Sequence, residues 1–272
     1  MKSLEEEILK QDRPKWFTKP NYLTLMGSHA YETFTETSDY DFYGFVVPPV
    51  EVVFPHLTGK INGFGRMKQN FEQLQHQHLE TEQFGDVDYT VFNIVKYFQL
   101  LMEGNPNIID SLFTPDHCLI SSDVIAQTVR KNKHLFLSQK CYHTFKGMMW
   151  SHLSRIKSGH IKEGRKNKGF DWDVKDGYHS ARMALQLKQI CFEYDLDLTR
   201  NKKILLEIRH GDMSKDDVIS FCENTLSEIE DKKEDFVIPY APDEKEIKKL
   251  LIHCLELGYG YDLSEIGYKN NT

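Results

Sequence analysis

Apolar positions fall into two rhythms along the chain. From Tyr22 to Met26 the run YLTLM is short and apolar, bounded by Asn21 and Gly27, which predicts a buried strand. A second strand is predicted from Asp41 to Val47, where FYGFVV is rich in aromatic and branched side chains and stops at Pro48-Pro49. VDYTV, at 87–91, reads as a third strand. It runs straight into a helix whose apolar positions Ile94, Val95, Phe98, Leu101 and Met102 recur at helical spacing. Gly104 is placed to close that helix, and Asn105-Pro106 to open the next, IIDSLF. Ahead of these, Ser3 to Gln11 reads as a short amphipathic helix closed by Pro14. In residues 50–84 Gly59, Gly63 and Gly65 break the pattern, and the stretch QNFEQLQHQHLETEQ, at 69–83, fits strand or helix.

After Asp123 the helical period takes over. Segments near 123–135, 141–157, 175–193, 202–209, 214–232 and 243–257 each read as a helix, and no strand is strongly signalled among them. The expectation is an α+β chain of two parts that share an interface: a small mixed sheet in residues 1–135 and an all-helical domain in 136–272. No internal repeat or low-complexity segment interrupts it.

The composition, 40% hydrophobic and 28% charged over 272 residues, is that of a folded globular protein. A formal net charge of −7 argues against coating nucleic acid by bulk electrostatics, although a local basic patch is compatible with it. Cys118, Cys141, Cys191, Cys222 and Cys254 are scattered and never form C-x-x-C, so reduced, buried thiols are expected rather than a disulfide framework or zinc knuckle. The acidic N-terminus and the lack of a membrane-length apolar run make the cytoplasm the expected compartment.

The chemistry gathers around the first two strands. Gly27-Ser28 closes the first, ten residues intervene, and Asp39-Tyr40-Asp41 opens the second. On an extended strand residues i and i+2 share a face, so Asp39 and Asp41 are expected to project side by side. Paired carboxylates suit a hard divalent cation such as magnesium or manganese, bound together with substrate phosphates. Gly27 lets the backbone approach a phosphate, and Ser28 with the following helix start offers donors, so the two would seat a triphosphate. Asp86 and Asp88 are candidates for a third carboxylate. Asp88 is favoured because it leads into the alternating YTV, while Asp86 follows Gly85 and fits a turn. Taken alone, Gly-Ser and D-x-D also describe a turn and a solvated strand end; the order strand, Gly-Ser, strand, third acid favours the site.

GSHAYETFTETSDYDFYGFVVPP resembles the nucleotidyltransferase signature of the DNA polymerase beta superfamily. VDYTVFNIVKYFQLLMEGNPNIIDSLFTP is similar to the next block of one branch, nucleotidyltransferases associated with RNA-repair pathways; there the third acid falls on Asp88 and a Lys-aromatic pair on Lys96 and Tyr97. KDGYHSARMALQ resembles that branch's Lys-x-Ala-x-His-x-x-Arg helix, at Lys175, His179 and Arg182, with Gly177 in place of the usual alanine. IRHGDMSKDDVISF, at 208–221, looks like its Arg-x-Gly turn and acidic helix. The resemblance implies a palm-type sheet followed by a helical domain. It also implies transfer of a nucleoside monophosphate from an NTP to an acceptor, with an RNA or DNA end favoured over a protein hydroxyl or small molecule. Asp39, Asp41 and Asp88 would then be catalytic and metal-binding, and Gly27, Ser28, Lys175, His179 and Arg182 nucleotide-binding.

The third block also makes sense from spacing alone. Positions 175, 179 and 182 share one helical face, and a Lys-His-Arg face suits phosphate, the alternative being a solvated charged face. RIKSGHIKEGRKNKG sets Arg155, Lys157, Lys162, Arg165, Lys166 and Lys168 against Glu163 alone and reads as a mobile basic loop over the cleft, or simply a solvated one. His76 and His78 have the spacing of strand ligands, but with no completing set a surface loop is the better reading. Neither a P-loop nor a G-x-S-x-G elbow occurs, which removes two common hydrolase and kinase readings.

Overall fold

A computed structural model describes residues 15–35, 38–53, 71–81, 84–161 and 169–260. The expected N-terminal helix at 3–11 and the basic residues 162–168 lie outside these. Five strands form one mixed sheet: β1 (Tyr22–Leu25), β2 (Tyr40–Val46), β3 (Gln73–Thr81), β4 (Gly85–Asn93) and β5 (Leu119–Ser122). Their spatial order is β3-β4-β2-β1-β5, with β2 and β4 parallel and every other pairing antiparallel. Residues 50–84 are now divided, and the stretch that fitted strand or helix contains a strand. Residues 50–53 form a helical turn, 54–70 and 82–83 lie outside the described residues, and 73–81 is β3. His76 and His78 are therefore on a strand and not in a loop. The strand is irregular between His76 and Leu79, and His78 has φ 55°, so a simple alternation does not place both rings on one face.

The pleat sorts the sheet into two faces. Tyr22, Phe45 and Phe92 join the core that continues into the helices, while Leu23, Phe42, Val46, Val87, Tyr89 and Val91 pack around Phe17 on the other side. By the same alternation Asp41 and Asp88 turn toward the helical side, the face of Tyr43, Phe45 and Phe92.

Helices α1 (Gly27–Ala30), α2 (Val50–Val53), α3 (Ile94–Met102), α4 (Pro106–Leu112) and α5 (Val124–Lys131) belong to the first half. In the second are α6 (Gln139–Lys157), α7 (Val174–Glu193), α8 (Lys202–His210), α9 (Lys215–Asp231) and α10 (Glu244–Tyr259). Side chains of Asn93, Asn105, Asp123, Ser138, Asp173, Ser214 and Asp243 accept backbone N–H groups at seven N-termini, and Asn105-Pro106 opens α4 as expected. Gly104, at φ +68°, follows α3 as expected. β5 was not anticipated: four residues, LISS, carry too little alternation to be seen.

α7 is the centre of the helical half, packed by α6, α8 and α9. Because it is enclosed, its polar residues are enclosed too: Asp176, Ser180, Arg182 and Gln186 are all buried. One core runs from Tyr22 and Phe45 through Phe98, Phe136 and Met183 to Leu250, so sheet and helices share a continuous interior. No helix among the described residues is long and apolar enough to cross a membrane, and all five cysteines are buried and free.

Candidate active site

β1 and β2 run antiparallel, so the Gly-Ser at the end of β1 comes back to the start of β2, and Met26 N donates to Asp41 O at 2.7 Å. Gly27 has φ +59°, and a Cβ there would meet Asp41 Oδ2 at 2.1 Å. Only glycine meets both demands, and the carboxylate of Asp41 occupies the space a side chain would need. α1 is a single turn and contributes no appreciable macrodipole, so donors at this point are individual amides and the Ser28 hydroxyl.

Asp41 and Asp88 are Cα partners across the parallel β2–β4 pairing. Burial, then Asp88, and more weakly Asp39, lift the Asp41 carboxyl to about 6, against Lys175 and Arg182, which pull it down. The acids thus feel one another and also feel the cationic helix opposite. Asp39 differs from expectation in one respect: β2 begins at Tyr40, so Asp39 lies just outside the strand and is exposed. Asp88 Oδ1 accepts from His78 N at 3.1 Å, and Asp86, exposed, pairs with the His78 ring at 2.9 Å. Among the described residues no three His, Cys, Asp or Glu side chains are drawn into one set fit to hold a metal ion. The donor chemistry nevertheless suits one, because these are hard carboxylate oxygens whose mutual repulsion a divalent cation would reverse.

The facing wall comes from α7. Lys175 is exposed, His179 half-buried and Arg182 buried. Burial and the nearby charges of Arg182, His152 and Lys175 push the His179 imidazole well below its usual range, so it is neutral. Arg182 lies over the Tyr31 ring at 4.4 Å and 4.0 Å from Asp110 Oδ2, with its Nε buried and unpartnered. Asp110, fully buried on α4, accepts from the Tyr31 hydroxyl and from Gln186 Nε2 at 2.8 Å. This carboxylate escaped the sequence reading; its one signal was an acid inside the apolar run of IIDSLF.

A second buried acid, Asp176, accepts from Arg155 Nε at 2.7 Å and sits 2.9 Å from His152 Nδ1. Arg155 and Lys157 therefore do not belong to a basic loop. Both lie on α6 and are paired, Lys157 with Glu223. Tyr97 is a core residue whose hydroxyl bonds Ser111 Oγ at 2.8 Å. Arg209, of the expected Arg-x-Gly turn, reaches across to Ser38 Oγ at 3.1 Å.

Residues 18–253 match the RNA repair pathway DNA polymerase beta family, RlaP. The chain belongs to this family. The match takes in both the strand acids and the α7 wall, so the RlaP resemblance covers the whole facing arrangement and not the Gly-Ser segment alone. RlaP is a polymerase beta-like nucleotidyltransferase family of RNA repair. Among curated proteins, the uncharacterized 38.9 kDa protein in the nrdC-mobD intergenic region of enterobacteria phage T4 is 26% identical over 101 residues. That stretch is 37% of this chain and 27% of the phage protein, so the chain spans about a quarter of that relative's length.

Proposed function

We propose that this RlaP protein transfers a nucleoside monophosphate from an NTP to an acceptor hydroxyl, with an RNA or DNA end as acceptor. One observation carries the reading: Asp41 is the Cα partner of Asp88 across β2–β4 and its carboxylate fills the space beside Gly27, with Lys175 and Arg182 of α7 near enough to draw that carboxyl's pKa down. Acids that would hold cations, set against a cationic wall, are the two halves of a polyphosphate site. Gly27 and Ser28 seat the triphosphate, Lys175 and Arg182 hold its oxygens, and His179 donates as a neutral imidazole. The acceptor oxygen attacks the α-phosphorus, its proton passing to Asp88. The bond from the α-phosphorus to the bridging oxygen breaks, and pyrophosphate leaves along the α7 wall. Magnesium or manganese held by Asp39, Asp41 and Asp88 would supply Lewis-acid neutralisation of the phosphate charge.

Labelled triphosphates incubated with magnesium or manganese and a panel of RNA, DNA, protein and small-molecule acceptors test this. The expected result is pyrophosphate released in step with label on a nucleic-acid end. Label on protein or a small molecule reassigns the acceptor, and triphosphate binding without pyrophosphate under any condition replaces the enzyme with a nucleotide-binding module.

A further inference from the structure

Four aromatic rings stand in a row at the beginning of β2. His29 on α1 is sandwiched between Phe34 and Tyr40, with centroid separations of 4.8 and 4.4 Å and interplanar angles of 14° and 19°. Phe84 leans on Tyr40 at 5.2 Å and closes one end of the row. The other end is Phe34, 55% exposed. α1 straddles the strand end: its Gly27 abuts the Asp41 carboxylate, while His29 lies on Tyr40, which the pleat turns away from Asp41. Phosphate seat and the two inner rings of the row, His29 and Tyr40, are thus built from the same two short stretches, Gly27–Ala30 and Ser38–Asp41, with Phe34 on the connection between them.

The turn that carries Phe34 is pinned on each side. Tyr31 donates to Asp110, Glu32 pairs with Lys202 at 3.0 Å, the Thr33 and Tyr178 hydroxyls are 2.9 Å apart, and Thr35 N donates to Ser38 Oγ at 2.8 Å. Phe34 is therefore held with its ring stacked on His29 while much of it stays exposed. An aromatic ring kept in water is unfavourable, and a rigid one is a preorganised surface for another flat ring.

We propose that Phe34 is a stacking platform for a nucleobase, belonging either to the incoming nucleotide or to a single-stranded acceptor end. This rests on the nucleotidyl-transfer reading above. A base is the flat partner whose attached phosphates the adjoining acids and cations would engage, and stacking accepts any base because each has a π-face. The row gives affinity without base selection.

The test uses 2-aminopurine, whose emission is quenched on stacking, carried as the triphosphate or as the 3′-terminal base of a short single-stranded RNA. Each is titrated with magnesium into the full chain and into F34W, F34L and F34A. The wild type and F34W quench; F34L and F34A bind about tenfold more weakly and leave the emission high. The probe that responds identifies the source of the base. F34L keeps apolar cover over His29, so it carries the comparison if F34A melts early. Wild-type affinity and quenching for both probes in F34L overturns the platform alone, while pyrophosphate release when triphosphate and RNA are combined with the same proteins still supports transfer. A wild type that takes up neither probe overturns both.

Discussion

Asp41 on β2 and Asp88 on β4 are Cα partners across a parallel pairing, which roots two acidic side chains on strands about 4.8 Å apart and on the same face of the sheet. A protein that places like charges in register needs something to offset them. Asp41→Asn and Asp88→Asn should each lower pyrophosphate release about 10³-fold or more. Without divalent metal, both should melt at or above the wild-type temperature, since each removes one repelling charge. Transfer retained in either variant would end the assignment.

Gly27→Ala tests the seat. The new methyl would need the place of Asp41 Oδ2 and a left-handed backbone, so a loss of about 1–3 kcal/mol is expected in urea unfolding, together with lost transfer. Wild-type stability would show that the strand end gives way more easily than its geometry indicates.

Asp110→Ala removes the acceptor for Tyr31 and Gln186 and the nearest counter-charge of Arg182. Leaving that guanidinium buried and uncompensated should cost about 3–5 kcal/mol by denaturant titration. Asp110→Asn, which keeps an acceptor oxygen, should cost less.

His179 sets a pH dependence. Its folded pKa is depressed below the ordinary value of 6.5, so the fold favours the neutral ring. That contribution is complete above pH 6.5 and is lost as the pH falls below it toward the folded value. Burial raises the Asp110 carboxyl, which tilts stability the opposite way, so the difference between wild type and His179→Gln isolates the imidazole. The gap in urea midpoint between the two proteins should change between pH 8 and pH 5, with the wild type losing more; a constant gap would show that His179 does not titrate with folding.

Gly177 lies within α7, and a Cβ there would meet Trp172 Cζ3 at 2.4 Å. Gly177→Ala should therefore cost about 1–3 kcal/mol through overpacking, despite alanine's better helix propensity. Trp172→Leu should make room, and the double variant should recover part of the loss. Additive costs would mean that the ring and the glycine do not share that space.

Much of the site was legible because its signals are local. Gly-Ser, ten residues and Asp-x-Asp lie on the one connection between neighbouring strands, and Lys175, His179 and Arg182 share a face through the 3.6-residue period alone. Asn105 marked the start of α4 for the same reason: it bonds amides two and three positions away. What the chain could not show by itself was decided between distant residues. That Asp88, the acid the sequence favoured, stands directly opposite Asp41 is a matter of β2–β4 register, and β5 is defined by its pairing with the other edge of β1. Asp110 and Asp176 became buried acids only when α4, α6 and α7 closed around them, and Arg155 left the basic run for α6 to meet Asp176. Periodicity records which residues lie together on one element; register and burial arise where elements meet, and short-range pattern carries no trace of that.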